Sequence, residues 1–176
     1  MRREERSART RKVALSAMLC ALGVVVLYLG SLVEVLDISM AVIASLFAVV
    51  AVIEYGGVSP WAIYAVTGIL SAVLLPNKLP AAMYILFFGF YPILKEKLER
   101  IKNKALSWAL KEIVFNACLL LLMAISRWLM LDPEGLLVFE VVFFALANVT
   151  FVLYDIALTR LISLYLFRLR KRFRFK

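Results

Sequence analysis

The sequence predicts an all-α fold, an integral membrane six-helix bundle with both the N- and the C-terminus cytoplasmic. Three observations predict it. The 176-residue chain is 64% hydrophobic, with a mean hydropathy of +0.93, where a soluble domain is roughly half apolar. Its apolar residues fall into six runs of about the length that crosses a bilayer as a helix. Its 21 Lys+Arg, set against 12 Asp+Glu for a net charge of +9, gather in three clusters that six spans would bring to one side.

The first run, 13–33, is uncharged and is too long for a signal-peptide core, so it is expected to stay as a span. The second, 38–54, is stopped by Glu54 and the pair Gly56-Gly57. The third, 58–75, closes at Pro76-Asn77. The fourth, 79–94, holds Pro80 where a first helical turn accepts it. The fifth, 105–130, is interrupted by Lys111-Glu112 and Arg127, and the sixth, 136–167, by Glu140, Asp155 and Arg160. A membrane barrel would need strands of about ten residues alternating in polarity, whereas these runs are continuous and rich in Leu, Ala and Met. No soluble domain or linker remains, so residues 1–176 read as a single transmembrane domain.

Orientation follows from the basic residues beside the runs. Arg2, Arg3, Arg6, Arg9, Arg11 and Lys12 precede the first run. Lys95, Lys97, Arg100, Lys102 and Lys104 join the fourth to the fifth, and Arg168 to Lys176 close the chain. The alternate connections hold Glu34 and Asp37, then Lys78, then Asp132 and Glu134. Because the basic clusters abut apolar runs, their partner is a lipid bilayer rather than nucleic acid.

The chain has no histidine, which removes Ser-His-Asp, Cys-His and HExxH chemistry and most transition-metal sites. No catalytic motif stands in its place, so the chain reads as no enzyme, without cofactor or metal. Cys20 and Cys118 lie within apolar runs and read as small buried hydrophobes, not a disulfide.

Polar residues inside spans are costly and tend to face protein or water. Counting helical rise along the antiparallel fifth and sixth runs puts Lys111 and Glu112 level with Asp155, Asn116 with Asn148, and Arg127 with Glu140. Each set reads either as interhelical glue or as part of a site, with Arg127 and Glu140 nearest the outer mouth. Small residues give a second signal. Ala17 and Ala21, with Ala14 nearby, share a face of the first run, and Ala44 and Ala48 share one on the second; such faces let helices approach closely, inside the bundle or against a partner. Run four brings Tyr84, Phe87, Phe88, Phe90 and Tyr91, expected in the core or against lipid. Tyr28, Tyr55, Trp61, Trp108 and Trp128 lie near span ends, as an aromatic belt would.

With its length, six runs, the basic Arg11-Lys12 opening and the segment ALSAMLCALG from Ala14 to Gly23, the chain resembles the substrate-binding S component of an energy-coupling factor (ECF) transporter. That family carries an alanine-spaced motif on its first helix, matched here by Ala17-x-x-x-Ala21. The resemblance implies a subunit that binds a vitamin or similar micronutrient from outside. It would dock through Ala14, Ala17 and Ala21 on a transmembrane coupling subunit driven by cytoplasmic ATPases. No Gly-x-x-x-x-Gly-Lys-[Ser/Thr] occurs in the chain, so ATP use would belong to those partners. The implied substrate-binding residues lie in the outer loops and outer halves of later helices: Asn77, Lys78, Tyr84, Arg127, Trp128, Glu140 and Asn148. The alternative is a non-catalytic membrane scaffold, a morphogenesis subunit of the rod-shape type, in which the same alanine faces and basic ends serve partner binding alone.

The threading makes a direct prediction. Single cysteines at Asn77 and Asp132 should react with a membrane-impermeant thiol reagent applied to intact cells, and one at Asn103 should not. Outside labelling at position 103 rejects the six-span order.

Overall fold

The computed structural model describes residues 2–130 and 137–169; for 2–8, 34, 126–130, 137–140 and 168–169 only the backbone is described. Among these residues there is no strand, and each of the six apolar runs is helical. The elements are α1 (Arg2–Leu32), α2 (Asp37–Glu54), α3 (Ser59–Leu74), α4 (Leu79–Met83), α5 (Tyr91–Glu99), α6 (Lys104–Met130) and α7 (Leu137–Leu164). A 3₁₀ turn at Glu34–Leu36 leads into α2, and π-helical turns occupy Tyr84–Phe88 and Tyr165–Leu169. Four stretches are long and apolar enough to cross a membrane: Arg9–Leu32, Asp37–Glu54, Lys104–Ile125 and Val141–Phe167. The apolar helix Ser59–Leu74 is shorter, at 16 residues.

The helix starts are written in local chemistry. Pro60, Pro80 and Pro92 stand in the first turns of α3, α4 and α5, where the missing N–H has no helical partner to lose. The amide of Leu79 donates to Asn77 Oδ1 at 3.0 Å, an Asx turn that leads into α4, and the amide of Ala105 donates to Asn103 Oδ1 at 3.1 Å, so Asn103 caps α6. Gly56 and Gly57 turn α2 into α3 with φ of +56° and +58°, a left-handed pair that side chains with a Cβ resist.

Two compact units, 1–111 and 112–176, make up the chain. In the first, α2 lies against α1, α3, α4, the first π turn and α5. Its Ala41, Ala44, Ala48 and Ala51 are all fully buried. Leu27, Leu75, Ala81 and Tyr84 complete one core cluster around Ala41 and Ala44. Leu19, Cys20 and Ile63 form another with Ala51. Both cysteines are free thiols, with Cys20 buried and Cys118 half-buried. In the second unit, Phe115 of α6 stacks on Phe151 of α7 with ring centroids 4.5 Å apart.

Run four is not one regular helix. At the π turn the Gly89 amide donates to the Tyr84 carbonyl at 2.7 Å, a five-residue reach that disturbs the ordinary ladder. The Tyr64 hydroxyl donates to the Ile85 carbonyl at 2.8 Å, a bond from α3 that satisfies a backbone group of the irregular turn. Gly89 permits the packing beside it, because a Cβ there would lie 2.7 Å from both Tyr64 Cδ2 and Tyr84 Cε1. Gly89→Ala should therefore push two packed rings apart and destabilise the protein by about 1–3 kcal/mol, the usual cost of overpacking. Thermal unfolding in detergent checks it; an unchanged midpoint would show that the rings yield freely.

Candidate functional site

The two alanine pairs that look alike in sequence part company in the structure. Ala44 and Ala48 are fully buried, so the second-run face packs within the first unit. Ala14, Ala17 and Ala21 are exposed. They occupy the middle of the outward face of α1. The same face continues through larger exposed side chains at Val25, Tyr28 and Leu32. The result is a shallow, small-residue strip on an otherwise bulky surface, a shape that admits a second helix at short axial distance.

The candidate substrate residues divide between the units. Asn77 and Lys78 sit together on the α3–α4 connection. Asn77 Nδ2 donates to Asp37 Oδ2 at 3.3 Å, tying that connection to the start of α2. Asp37, only 3% exposed, lies in the first turn of α2, where a carboxylate favours the helix dipole. Lys78 Nζ donates to the Leu75 carbonyl at 2.6 Å and to that of Val73 at 3.3 Å, closing the C-terminus of α3. Tyr84 is 1% exposed in the core cluster, its ring 6.1 Å from that of Tyr64. Phe87 and Tyr91 are buried beside it, with their rings 4.8 Å apart. The aromatics of run four thus build the interior of this unit.

Sequence reasoning passed over two residues that the structure makes conspicuous. Thr67 and Ser71, one turn apart on α3, are 1% and 0% exposed; the Thr67 hydroxyl lies beside the Tyr84 hydroxyl and the Cys20 thiol, whereas that of Ser71 has no hydrogen-bond partner among the described residues. Other buried hydroxyls do: Ser31 donates to the Tyr28 carbonyl at 2.7 Å, Ser45 to that of Val42 at 2.6 Å, and Ser107 to that of Leu98 at 2.9 Å. An unpaired buried hydroxyl is costly. Their four-residue spacing, Thr67-x-x-x-Ser71, was the available signal, placing both on one face. Thr67 packs on α1, because a Cβ on Gly23 would meet its Cγ2 at 3.0 Å.

In the second unit the level matching of Asn116 with Asn148 has a physical counterpart. Asn116 Nδ2 donates to Asn148 Oδ1 at 3.0 Å and to its own helix at the Glu112 carbonyl, 2.9 Å away. Asn148 Nδ2 donates to the Phe144 carbonyl at 2.8 Å. The side chains of Arg127, Trp128 and Glu140 lie outside the described residues. Lys111, expected to act with Glu112 and Asp155, is 4% exposed and pairs with Glu99 Oε1 at 3.3 Å. Lys95, 1% exposed, meets the same oxygen at 2.8 Å. Among the described residues no three Cys, Asp or Glu side chains converge to hold a metal ion.

Comparison with protein-family models, with curated proteins and with solved structures finds no match for this chain.

The asparagine pair can be measured. Asn116→Leu and Asn148→Leu should each lower the unfolding midpoint. Their double-mutant cycle should give a coupling of roughly 0.6–1.7 kcal/mol, the range for hydrogen bonds between membrane helices. Additive losses would mean that the two amides act independently.

Proposed function

We propose that this chain is the substrate-binding S component of an ECF-type transporter for a vitamin-like micronutrient. It would lie in the cell membrane with six spans and both termini in the cytoplasm. One observation carries the reading: Ala14, Ala17 and Ala21 face outward on α1, whereas the equivalent alanines of α2 are buried. A lipid-facing surface gains little from alanine, since larger side chains fill the acyl environment as well and cost nothing in packing. Small residues on an outward face instead suit the approach of another helix. The four long apolar helices supply the membrane anchor.

In this reading the alanine strip docks on the transmembrane coupling subunit, and ATP is hydrolysed by cytoplasmic partners, since the chain has no phosphate-binding loop of its own. Substrate contacts come from the outward ends of the helices, with Arg127, Trp128, Glu140 and Asn148 as the polar candidates from α6 and α7. Asn77 and Lys78 support that end by holding α2, α3 and α4 in register. The chain itself performs no covalent chemistry.

The test is co-purification. Tagged chain expressed with a coupling subunit and its ATPases should retain them in detergent, and mass spectrometry of the purified chain should reveal a bound micronutrient. Ala17→Trp or Ala21→Trp should lose the partners and abolish uptake, while the isolated variants keep the wild-type unfolding midpoint. Loss of folding in both variants would place the strip inside an intramolecular packing surface and defeat the docking role. An empty bundle held in a stable complex with cell-shape proteins would favour the morphogenesis scaffold.

A further inference from the structure

We infer that the end of the first unit where α1 begins and α2 closes is a binding site for the phosphate headgroups of anionic lipids. This needs the bilayer but not the transport reading. Two cation–aromatic pairs tie four helices together at this end. Lys12 Nζ, about three turns into α1, lies 5.4 Å from the centroid of the Tyr55 ring after α2. Lys97 Nζ on α5 lies 5.7 Å from that of Trp61 at the start of α3. A third pair sits on the first turns of α6, with Lys111 Nζ 5.1 Å from the ring centroid of Trp108. Trp61 and Trp108 are exposed at 39% and 38%, the half-wet setting that indole takes at the headgroup level.

Charge at this end is in excess, and the excess is accessible. The local carboxylates are engaged: Glu96 with Arg100, and Glu99 with the buried Lys95 and Lys111; Glu54 at the close of α2 is likewise not free. Lys97, Lys102 and Lys104 are exposed, and among the described residues none has a carboxylate partner. Among the described residues the opposite end of the unit offers no such surface. There Asp37 is buried against Asn77, and the ammonium of Lys78 is occupied by helix carbonyls. A cluster of solvated ammonium groups beside interfacial tryptophans matches a monoanionic phosphodiester anchored in the same plane, where each basic residue adds to the attraction. The Tyr55 and Trp61 rings hold the Lys12 and Lys97 stems and so reduce the freedom those two lose on meeting a phosphate.

The experiment uses the full chain purified in neutral detergent, with phosphatidylglycerol and phosphatidylcholine as probes. Phosphatidylglycerol should raise the unfolding midpoint and remain bound in native mass spectrometry. Phosphatidylcholine at equal concentration should do neither, and rising salt should erase the difference. Replacing Lys97, Lys102 and Lys104 by Gln should leave the midpoint in phosphatidylcholine unchanged. The preference for phosphatidylglycerol should fall by roughly fivefold per lysine removed. Equal stabilisation by the two lipids, a preference that survives high salt, or full preference in the triple variant would each overturn the site. If the triple variant unfolds, the salt titration of the wild-type protein decides alone. Stabilisation by an acidic protein partner without any lipid preference would likewise reject it.

Discussion

The first unit depends on how closely its helices approach α2. Between helices in lipid there is no hydrophobic drive, because the acyl chains are as apolar as leucine, so association rests on van der Waals contact and on polar bonds. Contact improves when side chains are small enough to let backbones near one another. Ala41, Ala44, Ala48 and Ala51, fully buried along α2, meet that need where α1, α3, α4, α5 and the first π turn lie against it. The larger groups of the core, Tyr84, Phe87 and Tyr91, come from the run-four segment, so bulk is supplied by one part of the unit and smoothness by another. Gly89 follows from that division, since two tyrosine rings fill the space a Cβ would take.

Polar groups follow a parallel logic. In hydrocarbon, a hydroxyl or amide does best by returning to a nearby carbonyl. Thr150, Thr159 and Ser163 of α7 do so four residues back, at 2.9 Å each. Bonds that cross between helices are fewer and more informative: Tyr64 to Ile85, Asn77 to Asp37, and Asn116 to Asn148. Each fixes a register that apolar packing would leave free to slide. Lys95 and Lys111, both buried, converge on the half-exposed carboxylate of Glu99, so the join of α5 to α6 is held by charge as well as by the Ser107 hydroxyl.

Much of the helical layout was legible in the sequence because hydrophobic length is a one-dimensional property. The bounds of α2, α3 and α6 fall within a residue of the ends of their apolar runs. The π turn at Tyr84–Phe88 was not legible, because it arises from rings packing across helices rather than from any local signal. Nor could spacing distinguish Ala17 and Ala21 from Ala44 and Ala48. All lie four apart, and only the packed neighbours decide which pair is covered. Depth counting found the Asn116–Asn148 bond, since both residues sit on antiparallel helices in the same unit. It did not anticipate Glu99 as one partner of Lys111, because Glu99 lies in a segment read as a loop, whereas α5 continues helical to that residue. Lys78 and Asn77 look like candidate ligand groups in sequence. The cap from Lys78, the turn at Asn77 and its bond to Asp37 give them a second, structural task that composition alone could not reveal.

In the proposed six-span arrangement, α3 is a short span. At 16 residues it spans about 24 Å, against roughly 30 Å of hydrocarbon. A short helix can be accommodated by flanking groups that reach the interface or by local thinning of the bilayer. Here both ends meet an ammonium group that α3 itself does not carry. At one end Lys97 lies over Trp61, and at the other Lys78 closes the final carbonyls. Long, flexible stems of this kind reach polar surroundings while their methylenes stay in apolar ones. The neighbours of α3 thus supply the interfacial contacts its own length does not. The Leu79–Glu99 segment reaches further by a different route, chaining two α-helical pieces through a π turn. Helix length by itself is therefore a poor guide to how either segment meets the bilayer; the placement of lysine, tryptophan and capping groups at its ends is the better one.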